Sequence, residues 1–186
     1  GLLLSTVSAF AEYQRDKAWT WEHQALTRAR FAAGDAATGA EFERIRNEII
    51  ARPRDWPKLR ADVIEMRARV AEGHPNRKAG ELFDLKHDNG GLVDMEFAVQ
   101  ALVLRYGAVQ PTMRADHGNI ALAIRAGELG LVTAEAGLAA ANAYRALRSR
   151  QHAIRLQGAE RAAVPLTDLA DERSAIRSFY DAVMAP

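Results

Sequence analysis

The chain contains no cysteine, which closes disulfide frameworks, thiolate metal sites and cysteine nucleophiles together. Lysine is nearly as scarce. Among 25 basic residues only Lys17, Lys58, Lys78 and Lys86 are lysines, and the rest are arginine. The net charge is +1, so there is no broad basic field and a nucleic-acid partner is not expected. No apolar run reaches the ~18 residues of a membrane span, so no membrane partner is expected either. Gly1-Leu2-Leu3-Leu4 is too short for a signal peptide and lacks the basic flank of one; a cytoplasmic setting is the expectation. The five histidines, His23, His74, His87, His117 and His152, fall at no metal-ligand spacing. No Ser-His-Asp or Cys-His constellation, internal repeat or low-complexity tract is visible.

What is there reads as helix. A chain of 186 residues with 48% hydrophobic and 26% charged residues has ordinary globular values and enough length for a good core. Gly34, Gly73, Gly107, Gly130 and Gly158 each follow an apolar-periodic run, where a left-handed residue ends a helix. Thr38-Gly39-Ala40-Glu41 has the form of a capping box, opening a helix with Phe42, Ile45 and Ile49 on one face. After the breaks at Pro53 and Pro57, Trp56, Leu59, Val63, Met66 and Val70 recur at three- and four-residue spacing. Thr133 is placed to cap a long helix carrying Ala140, Tyr144, Leu147, Gln151 and Ile154 on one stripe. A last helix buries Leu169, Ile176, Phe179 or Tyr180, and Val183. Polar loops run from Gly73 to Gly80, Gln110 to Asp116 and Gly158 to Thr167. The one strand-like piece is Leu82 to Lys86. The fold class expected is all-α, a helical bundle, with a division near Arg52 to Pro57.

The segment from Phe83 to Gln100 is chemically unusual. It passes from an alternating stretch through Gly90-Gly91 into a helix surrounded by Leu92, Val93, Met95, Phe97, Val99, Leu102, Val103 and Leu104. That helix has no clean polar face, yet it carries Asp94, Glu96 and Gln100, which must be partly buried or face a cleft. Buried acids are costly unless paired. Two residues apart, Asp94 and Glu96 diverge by about 200° and cannot hold one metal ion side by side, whereas Glu96 and Gln100 share a face. Structural bracing and a cleft-lining role both fit these acids. Gly90-Gly91 fits a tight turn, or backbone N–H groups set against a phosphate with Lys86 and His87 adding charge. Asp84 and Lys86 share a face and read as part of an ion-pair network, with Phe83 and Leu85 on the other side. Upstream, Gln24 and Arg28 lie four apart on one helix face, Glu22 is placed to pair with an arginine, and Trp19 and Trp21 read as core. Arg28 and Arg30 could give bidentate phosphate contacts or ordinary ion pairs.

These residues resemble the bacterial glutamine synthetase adenylyltransferase family. Phe83 to Gln100 is similar to its F-D-x-K…G-G-x-x-D-x-E-F-x-x-Q signature, and Trp21 to Arg30 to its W-E-x-Q-A-L-x-R-A-R stretch. Leu102-Val103-Leu104-Arg105-Tyr106 fits the continuation. The family's protein is a tandem of two halves, each a nucleotidyltransferase domain followed by a helical domain. The form Asp94-Met95-Glu96-Phe97 is similar to the C-terminal, adenylylating half. The resemblance implies transfer of AMP from ATP to a tyrosine of glutamine synthetase, with Mg²⁺ and ATP as cofactors of the intact enzyme. It also implies glutamine as effector and the PII signal protein as regulator. The family's metal-binding acids lie in a G-S-x-x-D-x-D motif that does not occur here. The chain therefore reads as a fragment without catalytic residues, expected to be inactive alone and to bind no cofactor. Residues 1–52 would be the last helices of the nucleotidyltransferase domain, and 53–186 the helical bundle. Asp84, Lys86, Gly90, Gly91, Asp94, Glu96, Gln100, Glu22, Gln24, Arg28 and Arg30 are the cleft or domain-interface candidates. The alternatives are a non-catalytic module relaying PII or glutamine state, and the helical domain of a PII uridylyltransferase.

Overall fold

Helix α5 (Leu92–Tyr106) runs through the middle of the fold, as its unbroken apolar surround demands. A computed structural model describes residues 5–115 and 118–186; Asp116, at the end of one expected loop, and His117 lie outside the described residues. The N-terminal helices are α1 (Val7–Asp16), α2 (Thr20–Thr27) and α3 (Ala36–Ile50), followed by α4 (Trp56–Gly73). Strand β1 (Leu82–Asp84) leads into α5, and then come α6 (Thr112–Ala115), α7 (Asn119–Glu128) and α8 (Ala134–Leu156). Strand β2 (Ala163–Pro165) and α9 (Ala170–Val183) complete the described chain. The fold is all-α, with one small two-stranded sheet among the described residues.

The main core gathers around α5, which packs against α2, α4, α7, α8 and α9. Leu92, Met95, Ala98, Val99, Leu102 and Leu104 on α5 meet Leu59 and Val63 of α4, Leu147 of α8, and Ile176 and Phe179 of α9. A second, smaller cluster joins Ala11, Leu26, Ile45 and Ile49, with Phe10 and Phe42 packed on it at a ring separation of 5.7 Å. Helices α7 and α8 approach closely because their facing side chains are small. A Cβ on Gly137 would lie 2.5 Å from the carbonyl oxygen of Ala123.

Several local expectations hold. The Thr133 hydroxyl caps α8 by accepting from the N–H of Ala136, and Phe179 and Tyr180 are both buried. Others need correction. The cap of α3 is Asp35, whose carboxylate accepts from the N–H of Thr38 at 2.8 Å; Thr38 sits inside the first turn. Gly130 and Gly158 take the left-handed conformation just after helices, but Gly73 is still helical and Gly107 has φ −57°. Gly34 has positive φ in a loop that follows no helix directly. Leu169, expected on the last helix, is its cap, at φ 57°. The loop read from Gln110 to Asp116 contains the short helix α6. The segment Gly158 to Thr167, read as a polar loop, contains β2, which pairs antiparallel with β1: Leu82 with Pro165, Phe83 with Val164, Asp84 with Ala163. Three residues ending in proline carry too little alternation to be recognised.

Candidate functional site

The start of α5 is built on a buried acid and a buried arginine. Asp94 lies in the first turn, where the helix dipole favours a negative charge. One carboxylate oxygen accepts from the backbone N–H of Gly90 at 2.6 Å. The other meets the Nε of Arg67, from α4. Arg67 reaches on with Nη2 to the carbonyl oxygen of His87 at 2.8 Å. Asp94 is 1% exposed and Arg67 6%, so each desolvated charge has the other as its partner. Arg67 falls four residues after Val63 on the buried face of α4, a polar break in the stripe that hydrophobic spacing passes over.

This clamp settles Gly90-Gly91 as a turn. Gly90 has φ 81°, and a Cβ there would collide with the backbone carbonyl of Arg173 on α9. Its N–H is held by Asp94. The next N–H groups, of Leu92 and Val93, donate to the carbonyls of Leu85 and Lys86 at 2.9 and 3.0 Å. The expected phosphate-facing N–H groups are therefore spent within the chain. Asp84 departs from its expected role too: its carboxylate accepts from the N–H groups of Lys86 and His87, and the Lys86 side chain is exposed. Asp84 pins a turn, and no Asp84–Lys86 ion pair forms among the described residues. Phe83 and Leu85 are fully buried.

One turn further along α5, the polar residues face α2 and α8. Glu96 accepts from the Tyr144 hydroxyl at 3.0 Å, and its other oxygen stands 3.6 Å from Arg28 of α2. Tyr144 in turn accepts from the Asn119 amide of α7. Burial, and then the Glu96 charge, push the Tyr144 hydroxyl up to about 12. Gln100 accepts from Gln24 of α2 at 3.2 Å. Gln24 is 2% exposed, and its Oε1 has no hydrogen-bond partner among the described residues. So Glu96 and Gln100 do lie together, on the seam between α2 and the bundle. Tyr144 is part of this relay, where its stripe position suggested packing alone.

The α2 region departs most from expectation. Trp19 and Trp21, read as core, are 70% and 48% exposed. They line a cleft of about 720 Å³ with Tyr13 and Met66. Glu22 pairs with no arginine among the described residues; it accepts from the Tyr13 hydroxyl at 2.6 Å and from the N–H of Trp19 at 2.8 Å. Arg30 is exposed and makes no ion pair among the described residues. The buried ionisable groups are elsewhere. Arg46, 1% exposed, donates to the carbonyls of Leu26 and Thr27 at the end of α2. His23 donates through Nε2 to the Gln14 carbonyl at 3.0 Å, which leaves Nδ1 to accept from Arg54. Burial, with Arg54 beside it, holds the His23 imidazole below its usual pKa. No sequence motif marks either residue.

An all-α bundle closed around one helix by buried acid, amide and arginine contacts is the class of domain these observations define. Residues 1–45 match the family model described as glutamate-ammonia ligase adenylyltransferase, and residues 64–177 the one described as GlnD PII-uridylyltransferase. The bifunctional glutamine synthetase adenylyltransferase/adenylyl-removing enzymes of Bordetella bronchiseptica and Aromatoleum aromaticum are 52% and 47% identical over 99% and 98% of this chain. That of Nitrosomonas eutropha is 51% identical over 85%. The chain belongs to the glutamine synthetase adenylyltransferase family, and its bundle is of the kind that the PII-uridylyltransferase model describes. It spans 19%, 19% and 17% of the lengths of these three relatives.

Proposed function

We propose that this chain is part of an enzyme that transfers AMP from ATP to a tyrosine of glutamine synthetase, in its C-terminal adenylylating half. The observation that carries this is the 52% identity over 99% of the chain to a bifunctional enzyme of that name, with every residue of the Phe83–Gln100 signature present. In the reaction the tyrosine oxygen attacks the α-phosphorus and pyrophosphate leaves. Positioning and charge neutralisation are the main work of such chemistry. No three carboxylate or imidazole side chains converge among the described residues, and Asp94 is committed to Arg67. On this reading the nucleotide and its metal are held by the nucleotidyltransferase domain of the longer protein, in a cytoplasmic setting.

The role of this chain is to set a catalytic unit against a helical bundle. Residues 1–52 are the last helices of the nucleotidyltransferase domain and 53–186 the bundle. The separate cluster of Ala11, Leu26, Ile45 and Ile49 supports that division. Gln24 and Arg28 meet Gln100 and Glu96 across the seam, and Glu22, Arg30, Asp84, Lys86, Gly90, Gly91 and Asp94 flank it or shape the turn that leads to it. The cleft beside Trp19 and Trp21 favours a second reading, a docking module for glutamine synthetase or for a PII signal protein, with glutamine as effector. The test is direct. The full-length protein, given Mg²⁺, labelled ATP and unmodified glutamine synthetase, labels the synthetase; the 186-residue chain alone does not. Transfer by the chain alone at the full-length rate would overturn the division of labour. No transfer by the full-length protein would overturn the activity itself.

A further inference from the structure

The β1–β2 pairing has an effect on charge. It brings the turn after β1 against the end of α8 and the approach to β2. Around the resulting hollow, of about 310 Å³, stand Lys86, His87, Arg148, His152, Arg155 and Arg161. Four are fixed cations and two are imidazoles. Among the described residues, the carboxylates lining it are Asp84 and Glu160, and Asp84 is engaged by the N–H groups of Lys86 and His87. Four fixed cations against two carboxylates leave the lining net positive, in a chain of net charge +1.

The fixed cations keep free donors, whereas the His87 ring stands 3.6 Å from the Asp84 carboxylate and stacks on His74. Lys86 and His152 make no side-chain hydrogen bond or ion pair among the described residues. Arg148 touches only the neutral amide of Gln151, at 2.9 Å. Arg161 uses one Nη on the carbonyl of Pro75 at 2.9 Å, and Arg155 one Nη on the carbonyls of Ala159 and Glu160. Each arginine keeps further N–H donors. The turn after β1, the C-terminal part of α8 and the approach to β2 hold these donors around one space, so like charges are gathered there. An anion relieves that repulsion, and arginine forks match oxyanions in geometry and charge.

We propose that this hollow binds a phosphate group of a small molecule. With donors from three segments lining it, the hollow suits a multiply charged oxyanion of phosphate type better than a carboxylate. The site is separate from the seam between α2 and α5, and the proposal stands whether or not the AMP-transfer reading does.

The test is a titration of the ¹⁵N-labelled 186-residue chain with inorganic pyrophosphate at constant ionic strength, followed by NMR. The expected result is saturable shifts centred on the amides of residues 86, 87 and 148–161. Arg148→Gln and Lys86→Gln, both at exposed positions, weaken binding by roughly tenfold or more, whereas Arg150→Gln, on the same helix but outside the hollow, does not. Retained dispersion of the spectra checks that each variant folds. Shifts that never saturate, an equal loss in the Arg150 variant, or tighter binding of succinate than of pyrophosphate would overturn the assignment.

Discussion

Asp94 and Arg67 show what a single buried pair does in this molecule. Breaking such a pair from one side leaves an uncompensated charge away from water, which costs about 3–5 kcal/mol. Asp94→Asn should therefore lower stability by about that amount in urea denaturation, although the amide can still accept from Gly90. Replacing both partners, Arg67→Met with Asp94→Leu, should recover most of the loss; a double variant as unstable as the single would refute the account. His23 makes a pH prediction. Its folded pKa lies below the usual value near 6.5, so below that value the unfolded chain binds the proton that the folded chain excludes. Stability then rises with pH through the window beneath about 6.5 and levels off above it. His87 is shifted in the same direction, again chiefly by burial. The melting temperature should drop between about pH 7.5 and pH 5.5, and His23→Gln should flatten the drop. These residues also mark how much of the site was legible. Costly polar residues on an apolar helix could be read from the two acids Asp94 and Glu96 and the amide Gln100 alone. Their partners could not, because Arg67, Arg28, Gln24 and Tyr144 come from other elements, and one sequence carries no signal of which arginine meets which acid.

At the scale of elements, helical spacing was the dependable signal. The stripe of α4 puts Leu59 and Val63 in the core, while Met66 is only half-buried, beside the tryptophan cleft. Leu59→Ala should cost about 2–5 kcal/mol and Met66→Ala distinctly less, as measured by chemical denaturation. Equal losses would mean that Met66 is packed as tightly as Leu59. Thr133→Ala removes the α8 cap and should cost about 1 kcal/mol. Spacing failed where the surroundings decide. Trp19 and Trp21 are apolar by type, yet the short α2 turns them outward. Asp35 took the cap expected of Thr38 because the helix begins two residues before Thr38. The turn glycines were legible as turns, but only the structure shows that α9 packs over Gly90 and that the N–H groups around it are engaged within the chain.

For the molecule as a whole, the seam between α2 and the bundle is where local chemistry would reach activity. In the full-length protein, Glu96→Gln should lower AMP transfer with Mg²⁺ affinity nearly unchanged, since the Glu96 carboxylate is engaged by Tyr144 and stands beside Arg28. Full activity with wild-type melting would leave that contact without a role. The small sheet bears on the order of events in time. Joining Leu82 to Pro165 closes a loop of ~80 residues, at an entropic cost of about 4 kcal/mol. Three residue pairs on a two-stranded ribbon contribute less than that. The ribbon thus cannot start the folding of this chain; it zips only after α5, α7, α8 and α9 have carried its ends together. A fastening made last is the first to come undone. In native-state hydrogen exchange, the amides of Leu85 and Leu166, which donate to Ala162 and Glu81, should trade their protons well before those in the middle of α5.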